Sequence, residues 1–159
     1  MSFHNFKWIV SALAIAALPA TALAQETKAT KYADVGGWTV ESYKFDGQYM
    51  RCGGVAPASV GSKVSFEKSS EGWTLLVPTK AKGDTVKGAV DVDGKSFSGE
   101  FNLMEDNRVG LFLKPAQLKS VQGGKAMIVK IGAEQTQVPL TGIGAVISKI
   151  TECDKKNSQ

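Results

Sequence analysis

Two Asp-Gly dipeptides, each following a run of strand-forming residues, constrain the fold of this chain more than any other feature. Asp46-Gly47 follows the segment Trp38–Phe45, and Asp93-Gly94 follows a run that begins at Thr85. Both residues of such a dipeptide tolerate positive φ, which the tight turn of a β-hairpin requires. The chain is therefore expected to contain antiparallel hairpins.

Similar short segments, apolar or alternating, recur between turn residues through the rest of the chain. Gly53-Gly54 and Pro57 predict that the strand after the first turn ends at Cys52. The further predicted strands are Gln48–Cys52, Lys63–Lys68, Trp73–Val77, Ser96–Phe101, Val109–Leu113, Lys125–Ile131 and Gln135–Val138.

Two segments follow a helical pattern instead. Pro115–Val121 begins with the residue best suited to the first helical position, and Gly123-Gly124 follows it. Near the end of the chain, Thr141 is a candidate N-cap for an amphipathic helix. Its apolar stripe consists of Ile143, Val146, Ile147 and Ile150. Since the strands show no βαβ alternation, we predict a mainly β protein, an antiparallel β-sandwich or barrel with a short internal helix and a C-terminal helix.

Residues 1–24 have the pattern of a secretory signal peptide. Lys7 precedes an apolar run that is too short to span a bilayer, and Ala22-Leu23-Ala24 offers a cleavage site. Cleavage would leave 135 residues, with 25–36 expected to be a flexible lead-in, 37–156 a single β-rich domain and 157–159 a tail. We therefore predict a periplasmic location without a transmembrane anchor.

Export would change the available chemistry. His4, the only histidine, would leave with the signal peptide, which weakens mechanisms that need imidazole. Cys52 and Cys153 would enter an oxidising compartment, where such a pair predicts a disulfide. The closed loop of about 100 residues corresponds to about 4.7 kcal/mol in the chain-entropy model. This bridge would clamp the C-terminal helix against the first hairpin.

The charge pattern argues against a nucleic-acid partner. The net charge of +4 falls to +3 without Lys7, and both signs are mixed along the chain. A polyanion-binding protein more often concentrates its basic residues on one face. The balance favours solubility first and weak attraction to an anionic envelope surface second.

One spacing in the chain is typical of nucleophilic catalysis. Ser65 and Lys68 match the S-x-x-K spacing of some acyl-transfer enzymes, but strand alternation would place them on opposite faces. No G-x-S-x-G motif occurs. We therefore predict no catalytic residue.

Carboxylates and glycines suggest no ligand site. Asp91, Asp93 and Glu100 are candidates for calcium binding or a glycosidase pair. However, Lys95 and Asn102 occupy positions where a calcium-binding loop needs an oxygen ligand and a glutamate. The glycines never form the G-x-G-x-x-G motif of dinucleotide sites. We predict neither a metal nor a cofactor.

Four aromatic residues are candidates for a binding surface. Trp38, Tyr43, Tyr49 and Trp73 lie on predicted strands, where such side chains stack on sugars or bases or, alternatively, pack within the core.

Several short motifs together resemble the invasion-associated locus B family of small exported proteobacterial proteins. These are Gly37–Val40, Cys52 on the next strand, Val92–Gly94, Gly123-Gly124 and the segment Pro139–Cys153. Members of that family often carry further cysteines where this chain has Glu41 and Leu103. The resemblance implies a β-rich periplasmic or envelope-associated protein without established catalysis, linked in some relatives to host-cell invasion.

Three functional hypotheses follow. The first is a non-enzymatic envelope protein that offers a surface to an unknown macromolecular partner of the envelope or the host. The second is a binder of a small envelope ligand, in a barrel mouth lined by Trp38, Trp73 or Phe112. The third is a periplasmic inhibitor of a host hydrolase such as lysozyme. The sequence determines neither the partner nor the oligomeric state.

Overall fold

The computed structural model describes residues 27–60, 64–104 and 106–159. Over these residues the chain forms ten strands, a short 3₁₀ helix (Ala58–Val60) and two α-helices. The signal peptide predicted for residues 1–24 lies outside the described residues. In chain order the elements are β1 (Thr27–Val35), β2 (Trp38–Phe45), β3 (Gln48–Val55), β4 (Ser65–Ser69), β5 (Gly72–Pro78), β6 (Thr85–Val92), β7 (Lys95–Leu103), β8 (Arg108–Leu113), α1 (Pro115–Gly123), β9 (Ala126–Ile131), β10 (Glu134–Pro139) and α2 (Ile143–Asn157).

All ten strands form one antiparallel sheet in the order β1-β2-β3-β4-β5-β8-β7-β6-β9-β10. β6 and β7 pair along the whole of β6. In contrast, β7 and β8 pair at only two positions, Asn102 with Gly110 and Leu103 with Val109. Buried side chains from both sides of this narrow seam belong to one hydrophobic core. The predicted mainly β, antiparallel class, with a short internal and a C-terminal helix, is confirmed.

Strands β2 to β5 and β8 have two different faces, because successive side chains of a strand point to opposite sides. We call the face toward α2 and the core the inner face, and the other the outer face. One inner-face row consists of Gly54, Phe66, Leu75 and Leu111. The neighbouring outer-face row consists of Gly53, Glu67, Thr74 and Phe112.

The segment predicted as a flexible lead-in forms strand β1, so that prediction is wrong for residues 27–35. β1 pairs with β2 from Thr27 to Val35, with one register shift between Lys31 and Ala33. Backbone hydrogen bonds of a ladder do not require apolar side chains, and lysines are common on edge strands because they discourage pairing with another chain. A polar composition therefore did not prevent this strand.

The glycine pair after Cys52 does not end its strand, contrary to the prediction, since β3 runs to Val55. Both glycines serve close packing instead. A Cβ at Gly54 would lie 2.9 Å from the side-chain ends of Ile150 and Val146 on α2. A Cβ at Gly53 would lie 3.1 Å from Glu67 Cγ on the outer face. The two glycines thus allow dense packing on both faces of the sheet.

Both predicted helices are present, but α2 begins differently. α1 starts at Pro115, as predicted. The N-cap of α2 is Gly142 at φ 80°, without a side-chain cap, so the predicted Thr141 cap is wrong. In the turn before the helix, the Ile143 N–H donates to the Leu140 carbonyl at 2.9 Å. A left-handed residue suits this turn, and glycine adopts that conformation without steric cost.

The predicted apolar stripe of α2 is confirmed, and its members face the inner side of the sheet. The buried residues are Ile143, Val146, Ile147, Ile150 and Cys153. The helix continues to Asn157, the first residue of the predicted tail. The Asn157 amide donates to the Cys153 carbonyl at 2.8 Å and so satisfies one carbonyl of the last turn.

Candidate functional site

Cys52 and Cys153 form the predicted disulfide, which joins β3 to α2 with a Cα–Cα distance of 6.1 Å. Both residues are fully buried. Because thiol exchange needs an accessible sulfur, this bridge is structural rather than a redox centre. It closes a loop with a sequence separation of 101 and clamps the helix onto the first hairpin, as predicted.

The four candidate aromatic residues do not share one surface. Trp38 is only 3% exposed and packs in the core, with its ring centroid 5.8 Å from that of Phe66. Its proposed role in stacking on a ligand is therefore wrong. Trp73 is half-buried on the inner face and packs against the core. Trp38 and Trp73 lie on the inner face and Phe112 lies on the outer face, so these three residues do not line one barrel mouth together.

Tyr49 connects β3 to the end of α2. Its hydroxyl donates to Asp154 Oδ1 at 2.7 Å, and Lys68 Nζ lies 2.8 Å from Asp154 Oδ2. Burial raises the pKa of the Tyr49 hydroxyl, and the hydrogen bond to Asp154 raises it further. Lys68 is thus engaged on the inner face, away from Ser65, as the strand alternation predicted.

Tyr43 lies on the outer face beside the first of the two arginines in the chain. Its hydroxyl donates to Glu41 Oε2 at 2.7 Å. The Arg51 guanidinium carbon lies 4.8 Å from the centre of the Tyr43 ring, a cation–π distance. The tyrosine therefore helps to orient Arg51.

A buried carboxylate occupies the centre of the outer face. Glu67 is 7% exposed, and its Oε2 lies 2.6 Å from Arg51 Nε, an ion pair without hydrogen-bond geometry. Its Oε1 lies 3.8 Å from a terminal nitrogen of Arg108, whose Nε is 2.5 Å from Asp106 Oδ2. Burial raises the pKa of the Glu67 carboxyl, and the two arginines oppose this effect without cancelling it.

Ser65 completes this network. Its hydroxyl accepts a hydrogen bond from Arg108 at 3.0 Å and lies 3.4 Å from Glu67 Oε1. A serine beside a carboxylate and an arginine resembles part of a nucleophilic site. However, Ser65 is only 1% exposed, so a substrate cannot reach its hydroxyl in this conformation. The arrangement orders the arginines instead.

Strand alternation did not predict this network, because it places Ser65 and Glu67 on one face without indicating which residues from distant strands contact them. One available signal was the rarity of arginine: the chain has two arginines among 19 basic residues, and both contact Glu67. Arginine is better suited than lysine to partly buried ion pairs, because its planar guanidinium is more weakly hydrated.

A groove of about 410 Å³ lies next to the network, and we call it the outer-face groove. Its apolar members include Met50 and Phe112, which are 39% and 49% exposed. Arg51 belongs both to the groove and to the Glu67 network. The complete lining is Tyr49, Met50, Arg51, Ser69, Ser70, Glu71, Thr74 and Phe112.

The carboxylates considered for metal binding stabilise turns instead. Asp91 Oδ1 accepts from the Gly94 N–H at 2.9 Å. The Asp93 carboxylate accepts from the backbone N–H groups of Lys125 and Ala126 at 2.9 and 3.0 Å, which lowers its pKa. Within the described ranges, no group of three or more His, Cys, Asp or Glu side chains is placed to hold a metal ion. Neither helix of the described part is long and apolar enough to cross a bilayer.

Comparison with known proteins establishes the fold. The sequence matches no protein-family model, and no curated protein matches it significantly. Among solved structures, it is similar to the crystal structure of invasion associated protein B from Bartonella henselae, with a TM-score of 0.57 and 14% sequence identity. The alignment covers 78% of this chain and 97% of that chain. The chain therefore has the fold of invasion associated protein B, as the sequence resemblance predicted.

Proposed function

We propose that this chain is a non-enzymatic protein of the periplasm or cell envelope that binds a partner protein through the outer-face groove. The observation that carries the proposal is the pairing of two exposed apolar side chains, Met50 and Phe112, with the oriented Arg51 in one groove. Aromatic, Met and Arg side chains are enriched at protein interfaces, where a few of them supply most of the binding energy.

Preorganisation supports this assignment. Arg51 is held by the Glu67 carboxylate on one side and by the Tyr43 ring on the other. A side chain that is already ordered loses less conformational entropy on binding than a free one. The network behind the groove therefore favours recognition, although a buried carboxylate contributes little net stability.

Cellular location and the lack of catalysis rest on separate support. A buried disulfide is typical of proteins that fold in an oxidising compartment. The nucleophile candidate, Ser65, is shielded from substrate, and Lys68 is paired with Asp154 on the opposite face. The fold likeness to invasion associated protein B agrees with an envelope protein.

Site-specific photo-crosslinking in the envelope of producing cells tests the proposal. A photoreactive phenylalanine analogue at position 112 should give a defined adduct with a partner protein. The same analogue at Phe45, which is 37% exposed but lies outside the groove, should not. Met50→Lys should then weaken the adduct from position 112, because a charge replaces an apolar contact.

Equal labelling from positions 112 and 45, or no adduct from position 112, would count against the groove. The same crosslinking with host-cell extract added identifies a host protein as the source of the partner. Fractionation of the cells, with mass determination of the amino terminus, tests export. Dose-dependent inhibition of lysozyme by the purified protein would favour the inhibitor hypothesis instead.

A further inference from the structure

A second pocket, of about 330 Å³, lies on the opposite side of β2 from the outer-face groove. It opens between β1, β2 and the last turn of α2, and we call it the lysine pocket. Lys28 stands directly opposite Lys44 in the β1–β2 ladder, and Thr30 stands directly opposite Ser42. Lys156 and Asn157 close the pocket from the helix.

The charged residues that line this pocket are all lysines. Among the described residues, no carboxylate lies within 4 Å of the ammonium groups of Lys28, Lys44 or Lys156. Like charges directly opposite each other across two strands are unfavourable. An anion between them would convert this repulsion into attraction. The neighbouring Lys31 is already paired with Asp34, so it adds little to the pocket.

Ser42 supplies an independent observation. It lines the pocket, is only 6% exposed, and its hydroxyl has no hydrogen-bond partner among the described residues. A buried hydroxyl without a partner destabilises the folded state, because it has lost its hydrogen bonds to water. Rotation about the Cβ–Oγ bond can direct the hydroxyl hydrogen toward a bound oxygen, so an oxyanion in the pocket would remove this penalty.

The carbonyl groups at the C-terminal end of a helix carry partial negative charge and repel an anion. At the end of α2 this repulsion is reduced, because two of these carbonyls accept hydrogen bonds. The Cys153 carbonyl accepts from the Asn157 amide, and the Asp154 carbonyl accepts from the Ser158 N–H at 2.9 Å. The Asp154 carboxylate is neutralised by Lys68 and bonded by Tyr49. Lys156 Nζ lies 5.8 Å from the ring centre of Tyr32, which also lines the pocket.

We propose that the lysine pocket binds a phosphate group, either free or as the headgroup of an anionic lipid. Three ammonium groups match the charge of a phosphate better than that of a single carboxylate, and the hydroxyls of Ser42 and Thr30 are suited to its oxygens. The lysine pocket and the outer-face groove share no lining residue, so a result that contradicts one proposal leaves the other unaffected.

Titration calorimetry of the mature, disulfide-bonded protein with sodium phosphate at low ionic strength tests this inference. We expect saturable binding to one site, weakened about tenfold by Lys44→Gln and similarly by Lys28→Gln, because each removes a charge next to the anion. Ser42→Ala should weaken binding by a smaller factor. Lys95→Gln, a change of the same type outside this pocket, should leave the affinity unchanged.

Co-sedimentation with phosphatidylglycerol vesicles, with phosphatidylcholine vesicles as the neutral control, distinguishes the two sources of phosphate. Vesicle binding that sodium phosphate displaces assigns the lipid headgroup, and phosphate binding without vesicle binding assigns the free ion. Equal losses in Lys44→Gln and Lys95→Gln would overturn the proposal, since they would show general charge attraction. Absence of phosphate binding by the wild-type protein would also overturn it.

Discussion

The inner and outer faces of strands β2 to β5 are both buried at their centres, but by opposite means. On the inner face, Phe66 is fully buried under the core, and Cys52 is covalently joined to α2. On the outer face, the next residue along β4, Glu67, is 7% exposed and lies between two arginines. Phe66 thus belongs to an apolar interface, whereas the next residue of the same strand, Glu67, belongs to an ionic network.

This difference indicates that the two faces have different roles. Burial of apolar surface and a disulfide stabilise a fold directly. A buried ion pair gains Coulomb attraction but loses hydration, so its net contribution is small, while its geometry constrains the groups around it. We therefore expect changes on the inner face to alter stability and changes on the outer face to alter binding.

The largest effect is expected from removing the disulfide. Cys52→Ala combined with Cys153→Ala should lower the free energy of unfolding by up to about 4.7 kcal/mol, because the unfolded chain regains the freedom of a loop of about 100 residues. Denaturant titration of the wild-type protein with and without reductant gives the measurement. The double variant is the control, since reductant should not change its midpoint. Equal stability of the variant and the oxidised wild-type protein would contradict a stabilising clamp.

An intermediate effect is expected from filling the space under α2. Gly54→Val should destabilise the protein by about 1–3 kcal/mol, because its side chain would overlap Ile150 and Val146 in a packed interface. Gly123→Ala is the control, because its added Cβ has no atom within 4 Å apart from those of its chain neighbours and its own helix backbone. Thermal unfolding followed by circular dichroism compares the two. A neutral Gly54→Val would show that the helix is less tightly packed than the structure indicates.

The smallest effect on stability, with a sign that depends on pH, is expected on the outer face. Burial raises the pKa of Glu67 above its ordinary value of 4.5, so the folded state binds more protons than the unfolded state between these two values. The stability of the wild-type protein relative to Glu67→Gln should therefore fall as pH rises from 4.5 through the pKa of the folded state. At neutral pH the two should differ by about 1 kcal/mol or less, because glutamine avoids the burial of a charge and the two arginines, 26% and 18% exposed, keep part of their hydration without a partner.

Urea titrations of the wild-type protein and Glu67→Gln at several pH values provide this measurement. A wild-type protein that gains stability relative to the variant as pH rises would mean that the arginines outweigh burial. Crosslinking from position 112 in the Glu67→Gln background then separates binding from stability, since a loosened Arg51 should weaken the adduct. A strong adduct in a destabilised variant would reverse the proposed division between the faces.

Much of the fold could be predicted because its signals are local. The Asp46-Gly47 and Asp93-Gly94 turns, the strand alternation around Phe66 and the stripe on α2 each depend on residues near one another in sequence. The errors occurred where pairing overrode composition. β1 forms despite its polar residues because β2 offers a complete backbone ladder, and Gly53-Gly54 stays in β3 because both faces are crowded.

The candidate sites were less predictable, since each combines residues that are distant in the chain. Glu67 lies close to Arg108 only because β8 lies beside β5. Lys28 and Lys156 line one pocket only because α2 packs against the first strands. The hydrophobic periodicity of the sequence does not indicate which distant residues become neighbours. The four aromatic residues were recognised as strand residues, but the separation of Trp38 from Tyr43 depends on which face each side chain occupies.

By itself, the sequence determined the strand and turn pattern, the amphipathic helix and the cysteine pair, because periodicity, turn conformation and thiol oxidation depend on residue type and short-range order. Only the tertiary structure decided that Glu67 is buried between the two arginines, that Trp38 belongs to the core, and that three lysines line one pocket with Ser42. Burial and charge proximity depend on strand order and helix docking, and these are properties of the whole folded chain.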